Sequence, residues 1–321
     1  MPPLSYAAPP WLPGGHAQTI YPLLIKLPLP AYRRERWTTP DADFVDIDWL
    51  DGDDQRPLLV LFHGLEGSSA SHYAGSLMHV VRGRKWTGAV CHFRGCSGEP
   101  NLLPRAYHSG DSDEIDWLLR RFRQRFPRRS IYAVGVSLGG NALLKWLGER
   151  QAETGKVIDG AAAVCAPIDL TLCGHNLSRG LNMMYTRNFL TTLKKNAAEK
   201  WRRHPGIFDR KKMQAARNLH EFDDAVTAPL HGFRDADDYW WRASAKPLLR
   251  AIQLPTLLLN AQNDPFLPAV ALPAASEVSP NVTCEFPRQG GHVGFVAGAP
   301  FGHLLWLPQR LLGFFDEQEV R

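Results

Sequence analysis

The chain alternates between short, largely apolar runs and longer segments in which apolar residues recur with helical spacing. Short apolar runs are typical of strands that are buried on both faces of a parallel sheet. Such runs lie at 57–62, 88–93, 132–134, 160–166, 254–260 and 282–286. Two more strands are predicted at 33–37 and 44–50, and the alternation of apolar and polar residues in the second is typical of an antiparallel edge strand.

Helical patterns lie between these strands. They span 70–83, 111–126, 141–147, 268–277 and 303–315. The alternation of strand and helix predicts an α/β fold with a mostly parallel, doubly wound sheet and right-handed crossovers. Residues 31–166 and 246–321 would form this core.

Residues 167–245 differ from the rest of the chain. They are rich in Lys, Arg, Asn and aromatic residues, contain no convincing apolar strand, and favour helices at 190–201 and 211–222. We therefore predict a helical cap inserted into the sheet domain at 167–245. The proline-rich residues 1–30 are predicted to be extended along the body of the fold.

The composition is that of an ordinary globular protein, with 44% hydrophobic and 21% charged residues. The net charge of +5 is spread along the chain, so we predict no nucleic-acid partner, and no obligate protein partner is evident. Six arginines lie at 120–129, where a solvated helix face is favoured. Weak peripheral contact of such a basic, amphipathic helix with an anionic membrane is the alternative.

The five cysteines are odd in number and irregular in spacing, and no secretory signal precedes them. This pattern favours reduced thiols and a cytoplasmic protein. Cys91, His92 and Cys96 could be interpreted as metal ligands, but no second pair completes a four-ligand set. The prediction is therefore no metal and no cofactor.

Candidate chemistry begins with Gly135-Val136-Ser137-Leu138-Gly139, which matches G-x-S-x-G. The five-residue pattern is weak alone, but here a predicted strand precedes it and a predicted helix follows it. A sharp turn between strand and helix exposes the serine hydroxyl at the carboxyl end of a sheet. Ser137 is therefore the candidate nucleophile.

A serine nucleophile needs a histidine base, and the base needs an acid that orients it. In this chain order the acid follows a later strand and the histidine follows the last one. Asp264 and His292 occupy these positions. Asp169 is a rival for the acid, whereas His303 is expected on the last helix and His63 is expected to shape the turn after its strand.

An oxyanion hole requires two backbone N–H groups. The residue after the nucleophile, Leu138, and Leu65 in the loop after the strand 57–62 are the predicted donors. Glu66 is expected to point away and cap the following helix. His16 lies in a polar island at 14–19, for which a loop satisfied by backbone groups is favoured over an approach to the active site.

These residues resemble a known family. Segments 57–64, 135–139, 263–264 and 291–292 are similar to the α/β-hydrolase fold. Segments 15–19, 93–101, 221–224 and 228–233 resemble its YheT-like branch of proposed carboxylesterases, which is related to the abhydrolase-domain 1 and 3 proteins. The resemblance covers nearly the whole chain and implies Ser137, Asp264 and His292 as a charge-relay set without a cofactor.

The predicted function is a serine hydrolase that cleaves carboxylic esters through an acyl-enzyme. Its substrate would be a small-molecule or lipid ester. Phospholipase and thioesterase activity on acyl substrates are the alternatives within this class. A binding protein without catalytic activity on the same fold is the alternative from another class, since fold alone does not decide function.

Overall fold

A computed structural model describes residues 5–25 and 28–319. Its framework is an eight-stranded sheet with the order β1-β2-β4-β3-β5-β6-β7-β8. The strands are β1 (Arg33–Thr38), β2 (Phe44–Leu50), β3 (Leu58–Phe62), β4 (Thr87–Cys91), β5 (Ile131–Val136), β6 (Gly160–Val164), β7 (Thr256–Leu259) and β8 (Val282–Glu285). Strands β3 to β8 run parallel, and β2 pairs antiparallel with both β1 and β4.

The α-helices of the described residues occur before, between and after these strands. They are α1 (Gly15–Ile20), α2 (His72–Gly83), α3 (Ser112–Arg125), α4 (Leu138–Arg150), α5 (Leu170–Leu177), α6 (Met183–Arg203), α7 (Arg210–Ala215), α8 (Leu219–Phe222), α9 (Ala228–His231), α10 (Ala236–Ala243) and α11 (Trp306–Glu319). Helices α2 and α11 pack on one face of the sheet, and α3 and α4 pack on the other. The apolar stripe predicted on α3 is buried: Ile115, Leu118, Leu119 and Phe122.

Strand β2 is not the edge strand that its alternation predicts. It lies second in the sheet, and all seven of its residues are buried. Asp46 and Asp48 can be buried because Arg36 and Arg34 lie directly opposite on β1 and donate to their carboxylates at 2.7–2.9 Å. The polar positions therefore mark cross-strand ion pairs rather than a solvent face.

The structure describes all of residues 268–277 but shows no α-helix there, contrary to the prediction. The segment forms two single 3₁₀ turns, Ala269–Ala271 and Ala275–Glu277. Pro268 and Pro273 flank the first turn and cannot donate the hydrogen bonds that a continuous helix needs. The last helix also starts later than predicted, at Trp306.

The insertion between β6 and β7 contains α5 to α10 and has its own apolar cluster around Met213 and Phe222. The predicted helix 190–201 lies within the longer α6. The predicted helix 211–222 is interrupted, because Ala216 adopts an extended ψ of 130° and the side chain of Asn218 caps a new helix at Glu221 N.

The N-terminal segment also differs from its prediction. Among the described residues of this segment, α1 and a 3₁₀ turn at Tyr21–Leu24 replace an extended chain. Residues 1–4 and 26–27 of the predicted segment lie outside the described residues. Within 5–25 and 28–319, no helix combines the length and apolar character that crossing a bilayer requires.

Candidate active site

Ser137 lies at the corner between β5 and α4. Its φ of 51° and ψ of −119° are unusual for a residue with a side chain, so the surrounding structure must hold the turn in place. Two neighbouring glycines allow the close packing. A Cβ on Gly135 would lie 2.5 Å from the carbonyl oxygen of Gly139, and a Cβ on Gly139 would lie 2.5 Å from that of Phe62.

The structure brings Ser137, His292 and Asp264 into one chain of hydrogen bonds. His292 Nε2 lies 3.0 Å from Ser137 Oγ, and its Nδ1 lies 2.8 Å from Asp264 Oδ2. Both contacts are satisfied by a neutral imidazole that accepts from the serine hydroxyl and donates Nδ1–H to the carboxylate. The carboxylate of Asp264 is completely buried, whereas the side chain of His292 is 11% exposed and lines the cavity described below.

Asp264 and His292 meet because β7 and β8 are parallel neighbours. Asp264 lies in the loop after β7, and His292 lies in the loop after β8. Parallel strands bring their carboxyl ends to the same edge of the sheet, which is where β5 presents Ser137. The other carboxylate oxygen of Asp264 accepts from the N–H of Phe266 at 2.7 Å, which fixes the orientation of the carboxylate.

The rival residues lie elsewhere or have other partners. Asp169 caps α5 by accepting from Leu172 N. His303 does not lie on the last helix as expected but forms an isolated bridge with Ala297 before α11 begins. The backbone N–H and carbonyl oxygen of His303 are both paired with Ala297, at 2.7 and 3.0 Å, so the helix begins only after this residue.

His63 is a structural link between two strand ends. Its Nδ1–H donates to Gly64 O at 2.7 Å, and its Nε2 accepts from Phe93 N at 3.1 Å. Burial lowers the pKa of His63 to about 3, so the ring stays neutral. These bonds fix the loop that follows β3.

The two predicted oxyanion donors belong to backbone segments beside Ser137. Gly67 N donates to Gly64 O at 2.9 Å and closes a turn in which Leu65 is the second residue. A Cβ on Gly64 would lie 3.1 Å from the Cβ of Ser137, so this turn packs against the serine. Leu138 is the first residue of α4, where helix N–H groups have no intrahelical partner.

Glu66 does not cap the following helix, contrary to the sequence-based expectation. With a φ of 55° it occupies the third position of the turn, and Ser71 precedes α2 instead. Its carboxylate accepts from Tyr107 Oη at 2.8 Å and from Asn196 Nδ2 on α6 at 2.7 Å. Burial raises the pKa of Glu66 above its usual value. The turn beside Ser137 is thus linked to the inserted helices.

A cavity of about 1580 Å³ opens above Ser137 and His292. Helix α6 contributes apolar side chains to its wall, among them Tyr185, Phe189 and Leu193. The N-terminal segment contributes Ile20, Leu23 and Leu29 from another side. The cavity is therefore large enough, and apolar enough, for a long hydrocarbon chain.

Helix α1 contacts the loops that carry Asp264 and His292, which is the alternative that the sequence analysis did not favour for the polar island at 14–19. Gln18 contacts Asn263 and Gly290, and Thr19 contacts His292. His16 lies 3.1 Å from Tyr185 Oη on α6 instead of being satisfied within its own loop. The polar island within an apolar, proline-rich segment was the signal for these contacts, but sequence alone did not show which distant loops it would meet.

His92, the histidine of the possible metal set with Cys91 and Cys96, has other partners on both ring nitrogens. His92 Nε2 lies 2.8 Å from Asp48 Oδ2, and its Nδ1 lies 3.2 Å from the carbonyl oxygen of Cys96. Within the described residues, the group with metal-ligating spacing is Cys165 with Asp264 and His292. Burial raises the pKa of the Cys165 thiol well above its usual value, which favours the protonated, weakly ligating form.

Comparison with known proteins identifies the family. The model of the alpha/beta hydrolase fold matches residues 57–299. The chain belongs to the α/β-hydrolase family. The fold class predicted from the sequence is thereby confirmed.

Relatives place this α/β hydrolase in the YheT-like branch. It is 39% identical over 304 residues to YheT of Escherichia coli, which is named as a proposed esterase, covering 92% of this chain and 88% of that one. It is 30% identical over 300 residues to human phospholipase ABHD3, covering 90% and 73%. A solved bacterial membrane phospholipase A shares the fold, with a TM-score of 0.57, 12% identity, and coverage of 90% and 87%.

Proposed function

We propose that this α/β hydrolase cleaves carboxylic esters through an acyl-enzyme on Ser137. The observation that carries the proposal is the chain of hydrogen bonds from Ser137 Oγ to His292 and on to Asp264, at 3.0 and 2.8 Å, on the floor of a large cavity. A binding protein would need no such arrangement. The relatives named esterase and phospholipase support the same reaction class.

The proposed reaction has two halves. His292 Nε2 takes the proton from Ser137 as Oγ attacks the ester carbonyl, and the imidazolium then donates that proton to the leaving alcohol. Water then attacks the acyl-enzyme with His292 again as base, the imidazolium returns that proton to the departing Ser137 Oγ, and the carboxylic acid product is released. Asp264 orients the imidazole and stabilises its charge. The backbone N–H groups of Leu65 and Leu138 donate to the oxyanion in both halves.

We propose esters with a long acyl chain as the substrates. The apolar wall of α6 and the leucines of the N-terminal segment would bury such a chain, and each buried methylene is worth about 0.8 kcal/mol. A thioester or a phospholipid could present the same acyl group. The proposed reaction needs no metal or cofactor, because the three side chains and two N–H groups supply every role.

Leu23 and Leu24 are the residues we propose for weak peripheral contact with a membrane, through burial of their apolar side chains. They are 67% and 70% exposed, and Leu23 also lines the cavity, so lipid bound there would be close to the entrance. The arginines of α3 are less suitable, because most are already paired within the fold. Their partners include Asp116, Asp159 and Glu35. The five unpaired cysteines support a reducing, cytoplasmic location.

The test is hydrolysis of p-nitrophenyl esters of graded chain length by the wild type and by Ser137→Ala. We expect kcat/KM to rise with acyl length, and Ser137→Ala to lower it by about four orders of magnitude or more. Ser276→Ala, at an exposed serine far along the chain, is the matched control and should retain full activity. Undiminished hydrolysis by Ser137→Ala would contradict the proposal and favour the binding-protein alternative.

A further inference from the structure

Helix α1 lies against the two loops that carry Asp264 and His292, although it is more than 240 residues away in sequence. We infer that Gln18 and Thr19 are positioning residues of the active site, which hold these two loops at a fixed separation. The inference rests on the proposed function. Neither side chain touches Ser137, so their effect passes through the loops.

One oxygen atom of Gln18 bridges the two loops. Gln18 is completely buried, and its Oε1 accepts from Asn263 Nδ2 and from Gly290 N, both at 2.9 Å. Its Nε2 donates to the carbonyl oxygen of Leu12 at 2.9 Å, which fixes which way the amide faces. Asn263 directly precedes Asp264, and Gly290 lies two residues before His292. A buried amide that is satisfied at both ends has one orientation, so it acts as a rigid spacer.

Thr19 holds the backbone of His292 itself. Its Oγ1 accepts from His292 N at 2.8 Å and donates to Gly15 O at 2.7 Å. Asn263 Oδ1 closes the network by accepting from Gly291 N at 3.0 Å. Three consecutive N–H groups, from Gly290 to His292, are therefore held by side chains of α1 and of the acid's loop.

The backbone of α1 also packs directly against these loops. A Cβ added to Gly15 would overlap the carbonyl oxygen of Asn263, and one added to Gly294 would overlap that of Gln18. Contact this close leaves little freedom for α1 to move relative to the two loops. The position of α1 therefore constrains the positions of both loops, just as the loops constrain α1.

The consequence for catalysis follows from geometry. Asp264 and His292 lie on loops that extend beyond β7 and β8, where the sheet no longer fixes their separation. A misplacement of about 1 Å can cost about 100-fold in rate, even when it originates away from the reacting atoms. Loss of the polar contacts of Gln18 and Thr19 should therefore lower kcat more than it raises KM, because the apolar cavity wall at Ile20 is left in place.

The experiment compares Gln18→Leu and Thr19→Val with Thr19→Ser, which keeps the hydroxyl. We expect the first two to lower kcat by about 10-fold to 100-fold with KM within about twofold, and Thr19→Ser to restore most of kcat. The rate of fluorophosphonate labelling should fall in parallel. Tyr6→Phe and Tyr21→Phe are matched controls, since each removes one hydrogen bond from the N-terminal segment to the later part of the His292 loop, at Val296 or Phe301, and leaves the bonds to the N–H groups of Gly290 to His292 in place.

A double variant tests whether Gln18 and Asn263 act through one shared hydrogen-bond network or independently. Gln18→Leu combined with Asn263→Leu should cost hardly more in kcat than the worse single variant, because each breaks the same bridge. If Gln18→Leu fails to fold, the nearly isosteric Thr19→Val carries the test.

Two outcomes distinguish this inference from the proposed function. Wild-type kcat in folded Thr19→Val, or an equal loss in Tyr6→Phe, would overturn the positioning role while Ser137→Ala stays inactive. Full activity of Ser137→Ala would overturn the proposed function and this inference together.

Discussion

The ring of Phe266 lies over the imidazole of His292, with centroids 4.0 Å apart and planes inclined by 23°. The backbone N–H of the same residue donates to Asp264 Oδ1 at 2.7 Å. Phe266 therefore contacts both partners of the proposed proton relay, one through its ring and one through its backbone. Tyr185 on α6 packs edge-on against Phe266, with ring centroids 4.8 Å apart.

Replacing Phe266 with Leu should loosen His292 without removing the backbone contact to Asp264. We expect kcat to fall about tenfold, because the imidazole loses the surface that limits its rotation. The free energy of unfolding should fall by about 1 kcal/mol from the lost ring contacts. Steady-state kinetics and denaturant unfolding measure the two effects.

Phe314→Leu is the control for this prediction, because Phe314 is buried in α11 away from the cavity. It should destabilise the fold by a similar amount and leave kcat unchanged. Equal kcat losses in the two variants would mean that the effect of Phe266 comes from global loosening.

The sequence predicted the strands well, because strands buried on both faces consist of unbroken apolar runs. It also selected Ser137, Asp264 and His292, which the structure places within hydrogen-bond distance, because parallel strand ends converge at one edge. Gln18 and Phe266 were missed, since their contacts join segments that have no local periodicity in common. The interrupted helix near Asn218 was missed because a side-chain cap competed with the apolar pattern.

Gly64→Ala tests the turn that holds Leu65. The new Cβ would lie 3.1 Å from the Cβ of Ser137, closer than ordinary contact, so the turn must shift away from the serine. Loss of one oxyanion donor costs about 100-fold to 1000-fold in kcat. We expect a loss in this range with little change in KM, measured on a short ester.

Gly83→Ala is the matched glycine control. Gly83 is the last residue of α2, and an added Cβ there would have nothing within 4 Å. Its kcat should equal that of the wild type, with an unchanged or slightly higher free energy of unfolding. Wild-type kcat in Gly64→Ala would contradict the oxyanion role of this turn.

Asp223 in the inserted helices makes stability depend on pH. Its carboxylate accepts from Trp240 Nε1 and Thr227 Oγ1, and burial raises the pKa of Asp223 to about 6. The folded protein then binds this proton more tightly than the unfolded chain. The resulting stabilisation is complete below about pH 4 and is lost as the pH rises through about 6.

Asp223→Asn should remove that dependence. As the pH rises from 4 to 7, we expect the free energy of unfolding of the variant to rise by about 2 kcal/mol relative to that of the wild type. This is less than the pKa difference alone would give, because the carboxylate keeps some solvent contact. Urea unfolding at several pH values measures the gain. Parallel pH profiles for the two proteins would show that Asp223 does not titrate in this range.

Labelling of the folded protein with a fluorophosphonate probe, followed by mass spectrometry of the modified peptide, tests the proposed nucleophile directly. We expect one adduct, on Ser137, that is absent from Ser137→Ala and forms far more slowly in His292→Ala. Absence of an adduct on Ser137 in folded protein, or labelling of His292→Ala at the wild-type rate, would contradict it.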